Sequence, residues 1–195
     1  MNALIDRLKN ETGLIAQDLR GRLRGLAGDE SGVSAVEFAM LLPLMLSLYL
    51  GAVEVSQAIG ADRKVTLTAR TVADLVSQVQ SVDNNAMTNS LNAATAVMAP
   101  YDSSNLKVVV SSVSIDADGK ATIDWSDTLN GTARSKGATV TLPAALNVPS
   151  SSLIWSEVQY TYKPVIGYVV TGPLTLKDHI YMRPRLSEKV CRPSC

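Results

Sequence analysis

The side chains able to do chemistry are few, and their spacing suggests charge pairing more than catalysis. Glu37 and Glu54 bracket Phe38–Val53, an apolar run without one formal charge. A carboxylate beside lipid is costly and usually finds a partner. Glu37 is therefore expected to pair with a cation or to mark the headgroup boundary. Glu54 is expected at the opposite headgroup level, with pairing to a partner helix as the alternative. Asp178 and His179 suggest an acid–base pair, but neighbours on a strand point to opposite faces and do not cooperate easily. Asp116-x-Asp118-Gly119, followed by Asp124 and Asp127, is a faint calcium pattern. It lacks the glutamate that closes an EF-hand loop, and a hairpin turn explains it better. Cys191 and Cys195 enclose Arg-Pro-Ser, a small C-terminal ring if oxidised, with free thiols or intersubunit bonding as alternatives. Two thiols alone do not make a metal site. There is no P-loop, no G-x-G-x-x-G, no G-x-S-x-G and no C-x-x-C. The sequence is read as a non-enzyme without a cofactor or resident metal.

The elements that carry these residues follow from composition and periodicity. The chain has 195 residues, with 18 Lys+Arg against 18 Asp+Glu. Such a length suits one domain with an appendage. Only 18% of residues are charged, which excludes a solvated disordered chain. Zero net charge and the lack of a basic stripe argue against nucleic acid as a partner. A single histidine, His179, makes a histidine-rich metal site improbable.

Phe38–Val53 is apolar on every helical face, and at a rise of 1.5 Å per residue it covers roughly 24 Å. That is shorter than the ~30 Å hydrocarbon core, but its flanks are only weakly polar, so a membrane span is expected. Residues 1–31 carry five Lys+Arg and five Asp+Glu and do not resemble a cleavable secretory signal. They read either as a segment on a membrane surface or as a loosely ordered leader. Arg20, Arg22 and Arg24 precede the span and Arg63, Lys64 and Arg70 follow it, so charge alone leaves orientation undecided.

Beyond the span, Val65, Ala69, Val72, Leu75 or Val76, Val79 and Val82 recur at helical spacing. Asp83-Asn84-Asn85 supplies N-cap residues for a second helix, whose stripe Met87, Leu91, Ala94 and Met98 ends before Pro100. After residue 100 the period becomes two. Strands are expected at 106–115 and 121–125, forming a hairpin about Asp116–Lys120, and at about 138–142, 153–163 and 174–183. The resulting expectation is α+β. A long N-terminal transmembrane helix runs into a helical region, followed by a small antiparallel β head. By segments this reads as a leader at 1–32, a transmembrane and assembly helix at 33–61, and a helical stalk at 62–99. A β head at 100–190 and the cysteine ring at 191–195 complete the chain.

The stretch Ser31-Gly32-Val33-Ser34-Ala35-Val36-Glu37-Phe38 resembles the processing region of type IVb prepilins and pseudopilins. The longer stretch AVEFAMLLPLMLSLYLGAVEV, with Pro43 inside it and Glu54 beyond Gly51, resembles the TadE/TadG-like family of tight-adherence (Flp) pilus assembly proteins. The resemblance is strong from Gly32 to about Ile59; beyond that only the general layout, pilin-like in outline, is similar.

The resemblance implies cleavage by a prepilin peptidase between Gly32 and Val33, leaving Glu37 fifth and Phe38 sixth in the mature chain. It also implies that Glu37 pairs with the N-terminal amine of a neighbouring subunit, and it sets the orientation: leader cytoplasmic, head periplasmic. Physical chemistry agrees at several points. Glycine opens the backbone to a protease, and a freed α-amine is a cation with a pKa near 8. Pro43 removes a helical hydrogen bond and can kink the span. The implied function is a minor pseudopilin or assembly component of a tight-adherence pilus in the bacterial inner membrane. Its implied partners are the peptidase, other pilins or pseudopilins, the assembly platform and lipid. The alternative is an uncleaved single-pass envelope protein whose head binds a partner or surface.

Overall fold

The structure, a computed structural model, describes Gly25 and residues 31–164, 166–167 and 171–193. The rest of the leader and Cys195 lie outside the described residues, and the cysteine ring with them.

Helix α1, Ser31–Ser77, contains the whole apolar run and continues without interruption past it. Up to Tyr49 its large side chains are exposed, Phe38 and Met45 both at 60%. Pro43 sits inside the helix and lacks the N–H that would serve the carbonyl of Ala39. One turn on, the Ser47 hydroxyl donates to the Pro43 carbonyl at 2.7 Å. The described residues divide at this point, α1 up to Leu50 belonging to one unit and Gly51 onward to the other.

Within the second unit, α1 presents Ala61, Val65, Ala69, Val72 and Val76, all fully buried. Helix α2, Asn84–Met98, begins where the Asp83 carboxylate accepts from the Ala86 N–H, and buries the expected stripe Met87, Leu91, Ala94 and Met98. Both helices pack on one face of an antiparallel sheet. Its strands are β1, Leu106–Ile115; β2, Ala121–Leu129; β3, Thr139–Val140; β4, Ser151–Tyr162; and β5, Leu174–Met182, in the order β3-β2-β1-β4-β5. The α+β expectation therefore holds, and each expected strand is present, although β3 is reduced to two residues.

The expected turn Asp116–Lys120 joins β1 to β2, with Gly119 at φ +81°, a conformation glycine adopts without steric cost. Its Asp116 carboxylate accepts from the Asp118 and Lys120 N–H groups, so the faint calcium pattern is spent on closing a turn. The ladder shifts register after Ser112, where β2 carries Asp124 as an extra residue. Asp124 accepts from the Ser114 hydroxyl.

Leu106, Val108 and Val110 face the helices together with Ile154, Val158, Tyr160 and Tyr162 of β4. Val113, Ile115, Ile123 and Leu153 lie on the opposite face, in a smaller core. Leu142 joins them there, and Ala138, Val140 and Leu146 pack against the cluster.

Candidate functional site

Contacts at three levels of α1 fix how the strands run along it inside the head. The Tyr101 hydroxyl donates to the Gln57 carbonyl at 3.0 Å, and Tyr101 packs edge-on against Tyr162 with ring centres 6.2 Å apart. Farther along the helix the Thr66 hydroxyl donates to Asp178, opposite Val158 in the ladder. At the helix end the Arg185 N–H donates to the Ser77 carbonyl at 2.9 Å. Strand β4 thus runs back toward Gly51, and β5 runs outward with α1. The head has a base at the Gly51 end and a far pole around 78–83 and 183–193.

At the base lies an aromatic collar. Tyr160 and Tyr162, two apart on β4, point to the same side, and Tyr101 meets both edge-on, at 6.5 Å and 6.2 Å. Glu54, only 3% exposed, is packed here rather than displayed on the helix surface. Burial pushes the Tyr162 hydroxyl above its ordinary pKa, and the neighbouring Tyr101 and Glu54 charges add to the shift. Tyr160 is raised too, first by burial and then by Asp102. The sequence reading offered Glu54 a partner helix or a headgroup layer; the chain's own tyrosines are a third neighbour. Gly60 is required for this approach, since a Cβ there would lie 2.6 Å from the Tyr101 hydroxyl.

The far pole is closed by the C-terminal tail. Arg192 forms a two-pronged pair with Asp127, Nε at 2.6 Å and the second nitrogen at 3.0 Å, and also donates to the Val82 carbonyl. The bonded carboxylate holds the guanidinium pKa above its usual value, against the opposing effect of burial. Cys191 forms a parallel bridge with Ser81, exchanging backbone bonds with Gln80 and Val82 at 3.0 and 2.9 Å. Trp125 Nε1 donates to the Val190 carbonyl at 2.7 Å. The tail thereby ties the α1–α2 connection to β2.

The sheet face turned away from the helices carries an open polar depression of about 630 Å³. Arg134 dominates it, bonded through two nitrogens to Glu157 at 2.8 Å each, with its guanidinium 3.9 Å from the centre of the Trp155 ring. Trp155 stacks on Tyr181, and His179 meets Tyr181 edge-on. His179 lies on this face, while Asp178 turns toward α1 and Thr66. The two are split across the sheet, as alternation requires, and do not form an acid–base pair. Among the described residues no three His, Cys, Asp or Glu side chains gather to hold a metal ion.

The processing and assembly residues expected from the sequence lie together on the exposed part of α1. Gly32 is in its first turn, with open space around its Cα. Val33 and Phe38 are exposed at 57% and 60%, and Glu37 and Pro43 are exposed beside them. Glu54 differs, being buried in the head. The residues missed by sequence reading are Tyr101, Tyr160, Tyr162, Arg134 and Arg192. Only the alternation Tyr160-x-Tyr162 gave a hint, and it did not say what the pair would meet.

Among the described residues, the arrangement defines a class of protein: an α+β head whose first helix continues from one exposed apolar stretch long enough to be a candidate membrane span. Residues 32–74 match the model of a family described as TadE-like protein, which points to a component associated with the Tad pilus. The match covers the exposed part of α1 and its continuation into the head and ends within the helix. No curated protein and no solved structure matches the chain.

Proposed function

We propose that this protein is a minor pseudopilin or assembly component of a tight-adherence pilus, acting through α1. The observation that carries the reading is an exposed apolar helix, within a TadE-like match, joined to a head that closes a core of its own. Its large apolar side chains are exposed among the described residues, and such a helix gains by burial in lipid or against other helices.

In this reading a prepilin peptidase cuts between Gly32 and Val33. Glu37, one turn from the new terminus, pairs with the α-amine of a neighbouring subunit. Phe38 and the apolar run pack in the bundle, and Pro43 lets the helix bend as it enters. Glu54 acts indirectly, by joining helix to head. The precursor sits in the bacterial inner membrane with its N-terminus cytoplasmic and its head periplasmic. Its partners are the peptidase, other pilins or pseudopilins, the assembly platform and membrane lipid.

A second reading, an uncleaved single-pass envelope protein with a binding head, is favoured by the helical state of Gly32. A protease needs extended backbone, and the first helical turn must open before it can cut. Intact mass and N-terminal sequencing of the chain extracted from native membranes separate the two readings. A start at Val33 supports the pseudopilin; a full-length chain in cells with active peptidase removes it in favour of the anchor.

A further inference from the structure

The strand register arranges the sheet face turned away from the helices in rows. Lys107 of β1 stands opposite Gln159 of β4, which stands opposite Lys177 of β5. Val109, Glu157 and His179 form the next row on the same face. Residues opposite one another share a face, and strands lie about 4.8 Å apart, so the two lysines leave the backbone roughly 10 Å from each other. Both lysines are exposed and line the depression of about 630 Å³, which Thr132 borders from the loop after β2.

Charge in this depression is not balanced. Glu157 is the carboxylate that faces it, and both its oxygens are taken by Arg134. Asp178 borders it as well, but its side chain accepts from Thr66 on the helix side of the sheet. Lys107 and Lys177 have no carboxylate partner among the described residues. The chain as a whole is neutral, so two uncompensated cations facing one open depression are a local excess. Arg134 also borders a second depression, of about 340 Å³, which Lys136 and Lys189 line against the carboxylate of Asp124.

These groups fit a polymer that carries carboxylates among many hydroxyls. Ammonium groups answer the carboxylates, while the Gln159 amide and the Thr132 hydroxyl exchange hydrogen bonds with sugar hydroxyls. A peptide needs apolar anchor pockets, and Val109 alone turns an apolar side chain into the larger depression. Single-stranded nucleic acid needs open aromatic faces, whereas Trp155 is covered by Arg134 and stacked on Tyr181.

We propose that the outer sheet face of the head binds an acidic polysaccharide. Lys107 and Lys177 make the charge contacts, Gln159 sits between them, and the depression of Lys136 and Lys189 extends the track past Arg134. Every residue invoked belongs to the head, so the proposal stands whether α1 is cleaved or not and whatever it enters.

The full chain, held in a nonionic detergent at low salt, is titrated with an oligogalacturonate and with its carboxyl-reduced, neutral counterpart. Calorimetry reads the affinity. One double variant carries Lys107→Gln and Lys177→Gln. A second carries Lys64→Gln and Lys120→Gln, removing the same charge from α1 and from the β1–β2 turn. The expected result is saturable binding of the acidic oligomer, weakened roughly tenfold in the first variant, as two exposed ion pairs predict, and unchanged in the second. Lack of binding, or equal weakening in both variants, overturns the site. Binding of the neutral oligomer as tight as that of the acidic one overturns recognition by charge. Tighter binding of polyglutamate or of single-stranded DNA under the same conditions makes the occupant a peptide or a nucleic acid and overturns the polysaccharide.

Discussion

Tyr101 donates its hydroxyl to the carbonyl of Gln57, one turn past the apolar run of α1, and Gly60 gives it the room to do so. Tyr101→Phe removes this one bond and is expected to cost about 0.5–1.5 kcal/mol of head stability. Gly60→Val is expected to cost more, because its side chain occupies the place of the hydroxyl and drives the ring out of the collar. Chemical unfolding followed by tryptophan fluorescence measures both. Wild-type midpoints for the pair would show that the collar does not hold the helix.

Tyr162 predicts an alkaline limit. Its folded pKa lies above the ordinary value near 10.0 because burial disfavours the phenolate. The stability it contributes is fully present below the unfolded value and is lost as pH rises through the folded one. The head should therefore weaken above about pH 10, with Tyr160 contributing in the same direction. Tyr162→Phe should reduce that alkaline loss. At neutral pH it should be close to neutral or slightly stabilising, since the buried hydroxyl has no hydrogen-bond partner among the described residues. Denaturant midpoints from pH 7 to 11 test both statements.

The tail predicts a loss that charge alone does not explain. Arg192→Lys keeps the cation but cannot reproduce the two-pronged contact with Asp127 and the bond to Val82. A destabilisation of about 1–2 kcal/mol is expected, with faster amide exchange at Val82 and Cys191. Unchanged exchange at those amides would remove the tail from its role in holding the α1–α2 connection.

Asp83 is a simpler case. Its carboxylate caps α2 through the Ala86 N–H at 2.7 Å, so Asp83→Ala should cost about 1 kcal/mol. Thermal unfolding of the two chains side by side gives the difference.

Glu37 is predicted to matter for assembly and not for folding, since it is exposed on a part of α1 outside the head's unit. Glu37→Ala should leave the unfolding midpoint of the head unchanged while piliation and subunit crosslinking fall. Gly32→Leu should leave the precursor at full length. Normal piliation in the first variant would dismiss the proposed pairing; normal processing in the second would dismiss the cut.

Much of this molecule was legible in the sequence, and the reason is local. A period of 3.6 at Met87, Leu91, Ala94 and Met98, a period of two along Leu106–Ile115 and an Asp-Gly turn between strands each report on backbone geometry within a few residues. The apolar run was legible for the same reason, because solvent preference is written residue by residue. Opposite faces for Asp178 and His179 followed from the pleat alone.

Tertiary structure decided what lies far apart in sequence. Arg192 finds Asp127 across the head, Arg134 finds Glu157 and Trp155, and Tyr101 finds Gln57, each across a separation that no local pattern encodes. Glu54 is the sharpest instance. As a letter beside an apolar run it reads as a boundary or intersubunit charge, yet the return of β4 toward Gly51 buries it beneath the chain's own tyrosines. Spacing states what a side chain can do; the packing of distant segments selects its neighbours, because burial and charge act through space and not along the chain.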